Sequence, residues 1–231
     1  MKRPTLFRFL SSLSRTLAVS AVVGSVTVVV PGCELVGGAV ENYKRDSTHL
    51  IKAEYTGLEG KTFAVVIAAD RAIQADHPGL LEFMTKMMTD RLSEHGNVPQ
   101  PSGYVPADDV LRYLYDNPSW PSKPMTEVAQ GLGGVDRIVY VELHEYQLHD
   151  PGNLYEWAGV AAGNVSIVEV ESPTPDTFAF ERTIGVKFPD KKGFGPNEMA
   201  SNLVTSALAS RFVDRTTWLC YDHQEPYYPD Y

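Results

Sequence analysis

The chain has 231 residues, 43% of them apolar, and a net charge of −9. That length is enough for one domain with a core of its own, plus tails. The acidic balance argues against a nucleic-acid-binding surface, which needs clustered Lys and Arg to displace counterions from phosphate, and is explained by solubility.

Residues 1–32 read as an export signal. Lys2, Arg3, Arg8 and Arg15 form a basic start with no acid among them, and Leu17–Val30 is an apolar core. That core is shorter than the roughly 20 apolar residues that cross a bilayer. Gly32-Cys33 comes directly after it and resembles a bacterial lipobox, although Val30 stands where Leu is commoner and Pro31 is unusual. The resemblance implies cleavage before Cys33 and a diacylglycerol on its thiol, hence a membrane attachment through lipid. Glu34 is not the Asp that retains lipoproteins at the inner membrane of enteric bacteria, which favours the outer membrane and a periplasm-facing domain. The alternative is an ordinary cleaved signal with Cys33 as a plain residue. The only other cysteine is Cys220, so a Cys33–Cys220 disulfide is open on that alternative and absent if Cys33 is acylated.

Residues 33–53 have no firm period and read as a tether. Thr62–Ala69, TFAVVIAA, is a short, uniformly apolar strand suited to the middle of a sheet. A polar connection over Asp70–Asp76 leads to Pro78, which suits a first helical turn. Leu81, Met84, Met88 and Leu92 then share a helical face, with Leu80 and Met87 beside it, until Gly96. The next stretch leaves room for a short strand near Val98. A second helix starts at Pro106, with Asp108 and Asp109 suiting the dipole of its first turn. The segment Asn117–Pro124, NPSWPSKP, breaks it. A third helix, Met125–Leu132, stops at Gly133-Gly134.

Val135–Asp150, VDRIVYVELHEYQLHD, is the strand around which the other elements are organised. It begins solidly apolar and ends alternating, as in a strand that runs from a core to a surface, with Glu142, His144 and Tyr146 sharing a face. Two further strands are expected over Glu156–Val170 and Thr177–Phe188. In the first, Gly159, Ala161 and Gly163 mark a close approach. In the second, Phe178, Phe180, Ile184 and Val186 share a face. A last helix over Asn197–Val213 turns Met199, Leu203, Ala207 and Leu208 inward. The fold class is therefore mixed α/β, in the order strand, helix, weak strand, helix, helix, three strands, helix. The helical crossover sets the first and organising strands parallel, the last three strands form an antiparallel meander, and helices cover the single sheet over residues 54–213.

The segments KTFAVVIAAD, MTDRLSEHG and VAQGLGGVDRIVYVEL, in that order, resemble the periplasmic domain shared by the TolB amino-terminal domain, the curli-assembly lipoprotein CsgG and LpoB-type activators of penicillin-binding proteins. The segment AEYTGLEGKTFAVV also resembles planctomycete-type envelope lipoproteins. These resemblances imply a binding or assembly component with an envelope protein partner, no catalytic residues and no cofactor. They carry no residue roles, and a fold alone does not fix a function.

The residues by themselves offer little chemistry. His144 and His149 could be paired with Glu142, Glu145 or Asp150 around a metal, but the site lacks a third ligand assured by spacing; a solvated sheet face explains the same residues. There is no G-x-S-x-G elbow, and Gly131–Gly134 precedes a strand, where a dinucleotide loop must come after one. Three functions compete: a non-catalytic protein-binding lipoprotein, an envelope hydrolase or metal-binding protein using His144 and nearby acids, and a structural lipoprotein.

The tail, residues 214–231, is rich in aromatics and proline. Trp218, Tyr221, Tyr227, Tyr228 and Tyr231 form a candidate partner-binding strip, since Tyr offers contact area at little entropic cost. The alternative packs Trp218 and Leu219 on the domain and leaves the rest loose. No strand is expected here, and deleting residues 225–231 is expected to leave stability nearly unchanged.

Overall fold

The computed structural model describes residues 47–226, apart from 95 and 175. Its central element is a five-stranded sheet in the order β3-β2-β4-β5-β6, where β2 is Thr62–Ala69, β3 Gly103–Tyr104, β4 Arg137–Gln147, β5 Gly159–Glu169 and β6 Phe178–Phe188. β2 runs parallel to both its neighbours, β3 and β4, and β4-β5-β6 is an antiparallel meander. This is the mixed α/β sheet expected, with the weak strand at Gly103–Tyr104 in place of Val98. The alternate residues of β2 enter two cores, which is why the strand is apolar on both faces. Phe63, Val65 and Ile67 join one and Ala64 and Val66 the other.

The larger core is covered by α2, Leu80–Ser93, and α5, Ser201–Thr217. The smaller is covered by α3, Ala107–Asp116, and α4, Met125–Gly131, with Trp120 between them. A short helix α1, Arg71–Asp76, occupies the expected polar connection. Asp70 nucleates it, its Oδ1 accepting from the Ile73 amide at 3.0 Å. In α2 Met84, Met88 and Leu92 are buried as the spacing indicates, but Leu80 completes the face in place of Leu81, which is only partly buried. In α5 the buried face is Val204, Leu208, Phe212, Val213 and Thr216. Leu203, expected inside, is 55% exposed, because the helix packs on the sheet through the neighbouring face of Val204, Leu208 and Phe212.

Two bulges re-aim side chains that a strict alternation misplaces. Between Leu143 and Glu145, β4 carries one residue more than β5. Tyr146 therefore turns into the core at 6% exposure, rather than sharing the wet face of Glu142 and His144. Gly163 pairs with Leu143 at this bulge, and a Cβ there would meet the Glu142 carbonyl oxygen at 2.5 Å. Ala179 is the extra residue of β6, between the pairs Ile167–Phe180 and Val168–Phe178. Phe178 consequently stacks on Tyr140, while Phe180 lies against Tyr55 and the larger core; the two do not share a face.

The tether and the tail are not free of regular structure. β1, Thr48–Ile51, pairs antiparallel with β7, His223–Pro226. The Asp222 carboxylate holds the turn beside them, accepting from the Ala53 amide at 3.0 Å and from Lys52.

Candidate functional site

Ligands of open α/β sheets lie outside the carboxyl ends of the strands, where the chain departs to opposite faces. Here the chain leaves β2 toward α1 and α2 on one face, and α3 and α4 lie on the other. A crevice of about 810 Å³ opens at the carboxyl end of β2, although β3, from which the chain leaves for α3, lies beside the amino end at Thr62 and Phe63. Its floor is the carboxyl end of β2, Ile67–Ala69, and residues Tyr140, Glu142 and His144 of β4. The end of α3 and the Asn117–Pro124 break supply the wall: Leu111, Leu114, Tyr115, Pro118 and Trp120.

The helix α3 places Leu111, Leu114 and Tyr115, and the break places Pro118 and Trp120. Asn117 closes the end of α3, its amide donating to the Tyr113 carbonyl at 3.0 Å, and the prolines force the next 3-10 turn inward. Trp120 is thereby 8% exposed and meets Tyr140 edge-on, 6.3 Å between ring centres. Tyr140 in turn stacks on Phe178 at 6.2 Å. Burial, and then the charge of Glu142, push the Tyr140 hydroxyl above its ordinary range, so it stays a neutral hydrogen-bonding group. Tyr115 stands at the mouth, 86% exposed.

The rim is polar. Asp70 spends one oxygen on the α1 amide, and Gln74 Nε2 donates to the Ala69 carbonyl at 2.7 Å. Arg71, Glu142 and His144 are exposed. His144 is the inserted residue of the β4 bulge, which aims it away from the core. Aromatic and aliphatic walls inside a charged rim are the make-up of a surface that binds another molecule by burial.

The residues weighed for a metal do not converge. Glu142 and His144 line the crevice, whereas Asp150 lines a separate hollow with Glu156 and Lys187. His149 stacks on Trp157 at 4.3 Å, and its Nδ1 lies 2.9 Å from the Glu156 carbonyl oxygen. Glu145 accepts from Gln147 at 2.9 Å. Among the described residues, no group of three or more His, Cys, Asp or Glu side chains could hold a metal ion.

The strip of tail aromatics divides. Trp218 stacks flat on His223, with centres 4.5 Å apart and planes 8° from parallel, beneath the Arg215 guanidinium. Tyr221 is 9% exposed, with its hydroxyl 3.4 Å from Thr217 Oγ1. Both therefore fasten the tail to the domain. Tyr227, Tyr228 and Tyr231 lie outside the described residues, as does Cys33. Cys220 is a buried free thiol whose pKa burial pushes up to about 12, the opposite of a nucleophile's environment.

Sequence reasoning passed over Tyr115 and Trp120. Their signal was present: a Trp between prolines, directly after an amphipathic helix that comes behind a buried parallel strand.

No family model and no curated protein matches the chain. Solved structures with a similar course of the chain include the lipoprotein GNA1162 of Neisseria meningitidis, at 15% identity over 67% of this chain and 96% of that one, TM-score 0.43. PelC of Paraburkholderia phytofirmans, crystallised as a dodecamer, matches at 11% identity over 76% of this chain and 97% of its own, TM-score 0.43. A hypothetical protein of Chlamydia trachomatis matches at 12% identity over 69% and 98%, TM-score 0.40.

Proposed function

We propose that the protein is a non-catalytic lipoprotein of the bacterial cell envelope, anchored through Cys33, that binds another envelope protein at the crevice between β2, β4 and α3. The observation that carries the binding reading is the composition of that crevice, with Leu111, Leu114, Tyr115 and Trp120 inside a rim of Asp70, Arg71, Glu142 and His144. Interfaces concentrate their energy in such aromatic anchors, and the charged rim orients the partner. The anchor rests on the basic start, the apolar core and Gly32-Cys33. The resemblance to the TolB, CsgG and LpoB domains favours an assembly component over an enzyme.

Two exposed tyrosines make the test, because neither supports the core: Tyr115 is 86% and Tyr155 90% exposed. Crosslinked envelopes from cells carrying the tagged full-length protein are purified, and captured proteins are identified by mass. Tyr115→Ala is expected to lose the principal partner, while Tyr155→Ala keeps it. Equal capture by both variants removes the crevice from the interface. Dependence on Tyr155 alone places the interface on the loop before β5.

A further inference from the structure

The two edges of the main sheet are unlike. At one end β3 is two residues long, and a short edge strand offers little to pair with. At the other end β6 runs for eleven residues, and among the described residues it pairs only with β5. In an antiparallel pair, alternate residues turn both N–H and C=O away from the partner. β6 therefore presents a row of backbone donors and acceptors along its outer side, although its Lys187 carbonyl already accepts from Arg211 Nη1 at 2.7 Å. Ala179, Glu181, Thr183, Gly185 and Lys187 are all exposed, and nothing lies within 4 Å of the place a Cβ would take at Gly185.

The charges on this strand say what fits it. Glu181 and Lys187 share one face of β6, the face away from α5. Both are exposed, and neither side chain has an ion-pair partner among the described residues. They stand symmetrically about Ile184. Arg182 on the opposite face is already engaged by Glu54. An antiparallel neighbour of the same sequence, related by a two-fold axis at Ile184, sets each Glu181 against the other copy's Lys187. The same register sets Thr183 against Gly185, Ile184 against itself and Phe180 against Phe188. Residues opposite each other in such a pair lie on the same face and within reach. Moving the axis to Arg182 sets Arg182 against itself, and moving it to Thr183 sets Glu181 against Gly185; neither forms the two ion pairs.

We propose that β6 is a self-association edge, pairing antiparallel with β6 of a second copy about a two-fold axis at Ile184, so that one sheet runs through both subunits. The interface is isologous, and its two Glu181–Lys187 pairs select the register. It is separate from the crevice, which lies at the carboxyl ends of β2 and β4.

The test uses the full-length protein in detergent, with mass measured by sedimentation velocity over a concentration series. The natural chain is expected to form a dimer. Glu181→Lys sets like charges opposite each other twice and weakens the dimer by about tenfold or more. Adding Lys187→Glu to Glu181→Lys exchanges the two charges and restores it. Both positions are exposed, so the far-UV circular dichroism spectrum should stay unchanged and serves as the folding control. Separately, a mixture of Thr183→Cys and Gly185→Cys chains should form a disulfide on mild oxidation, since opposed Cβ atoms lie about 5 Å apart. Neither variant alone should. A monomer throughout the series overturns the proposal. So does a dimer indifferent to Glu181→Lys, or one the double exchange fails to restore.

Discussion

Arg137 carries a full charge at a position 5% exposed, and its surroundings explain how. Its Nε donates to the Tyr55 hydroxyl at 3.1 Å and to the Gly57 carbonyl at 3.0 Å; its Nη1 donates to the Asp136 carbonyl at 2.8 Å and to the Glu171 carboxylate. A buried guanidinium is tolerable only when its donors are met. The Arg137 hydrogen bond, and then that of Lys61, hold the Glu171 carboxyl at about 2 against an ordinary 4.5. Such a carboxyl binds fewer protons folded than unfolded. Its contribution is therefore present above about 4.5 and is lost as pH falls toward about 2. Glu171→Gln is expected to lower the urea midpoint near about pH 6 and to flatten its fall across that acid window. The effect is modest, because the Glu171 side chain is 47% exposed and water screens it. Unchanged steepness in the variant would assign the acid sensitivity to other carboxylates. Cys220 allows a second test at this scale. With Cys33→Ser in place to leave a single thiol, maleimide labelling should be slow in native buffer and should rise with urea along the global unfolding curve. Fast native labelling would contradict the burial of Cys220.

Among the elements, the β1–β7 ribbon changes an expectation about the tail. Glu225 is 7% exposed and pairs with Arg215 of α5 at 2.6 Å. Removing residues 225–231 takes that carboxylate from the arginine and two residues from the ribbon. The structure thus replaces the expected neutral deletion with a loss on the order of 2 kcal/mol, read from urea unfolding. Glu225→Gln should reproduce part of it. A truncated chain of natural stability would show that the ribbon does not fasten the domain. The β4 bulge acts on a similar scale. It turns Tyr146 inward, where the hydroxyl donates to the Thr205 carbonyl at 2.7 Å and burial raises its pKa. The same bulge leaves His144 at the crevice rim.

For the whole molecule, β4 joins the two halves of the sheet, since it lies between the parallel β2 and the antiparallel β5. Val139 is 1% exposed and sits between Val65 and Ile167. Val139→Asp buries an unpaired charge, at a cost of about 4 kcal/mol or more, and is expected to abolish cooperative folding by circular dichroism. A variant that still melts cooperatively near the natural temperature would contradict a core built around Val139. The anchor has its own test. Cys33→Ser, with its signal removed, is expected to move the protein from the membrane fraction to the soluble periplasm; retention after a high-salt wash would contradict lipid attachment.

Local chemistry determined a large share of this protein before any tertiary contact. TFAVVIAA is a strand buried on both faces because its residues are apolar almost without a break. The α2 face of Met84, Met88 and Leu92 comes from a helical repeat, and the parallel pairing of β2 with β4 comes from the length of chain between them. The proposed signal and lipid anchor at Gly32-Cys33 rest on order alone. Other features depend on partners far away in sequence. A bulge inserts one residue and reverses every later side chain, so Tyr146 and Phe178 could be placed only once β5 was beside them. Arg137 looks like a surface residue next to Asp136 until Tyr55 and Glu171 close over it. Thr48–Ile51 and His223–Pro226 have no strong pattern of their own, and become strands because α5 returns the chain to where the tether enters. The crevice belongs to the same class. Its walls come from β2, α3 and β4, and only packing brings Tyr115, Trp120 and His144 to one opening.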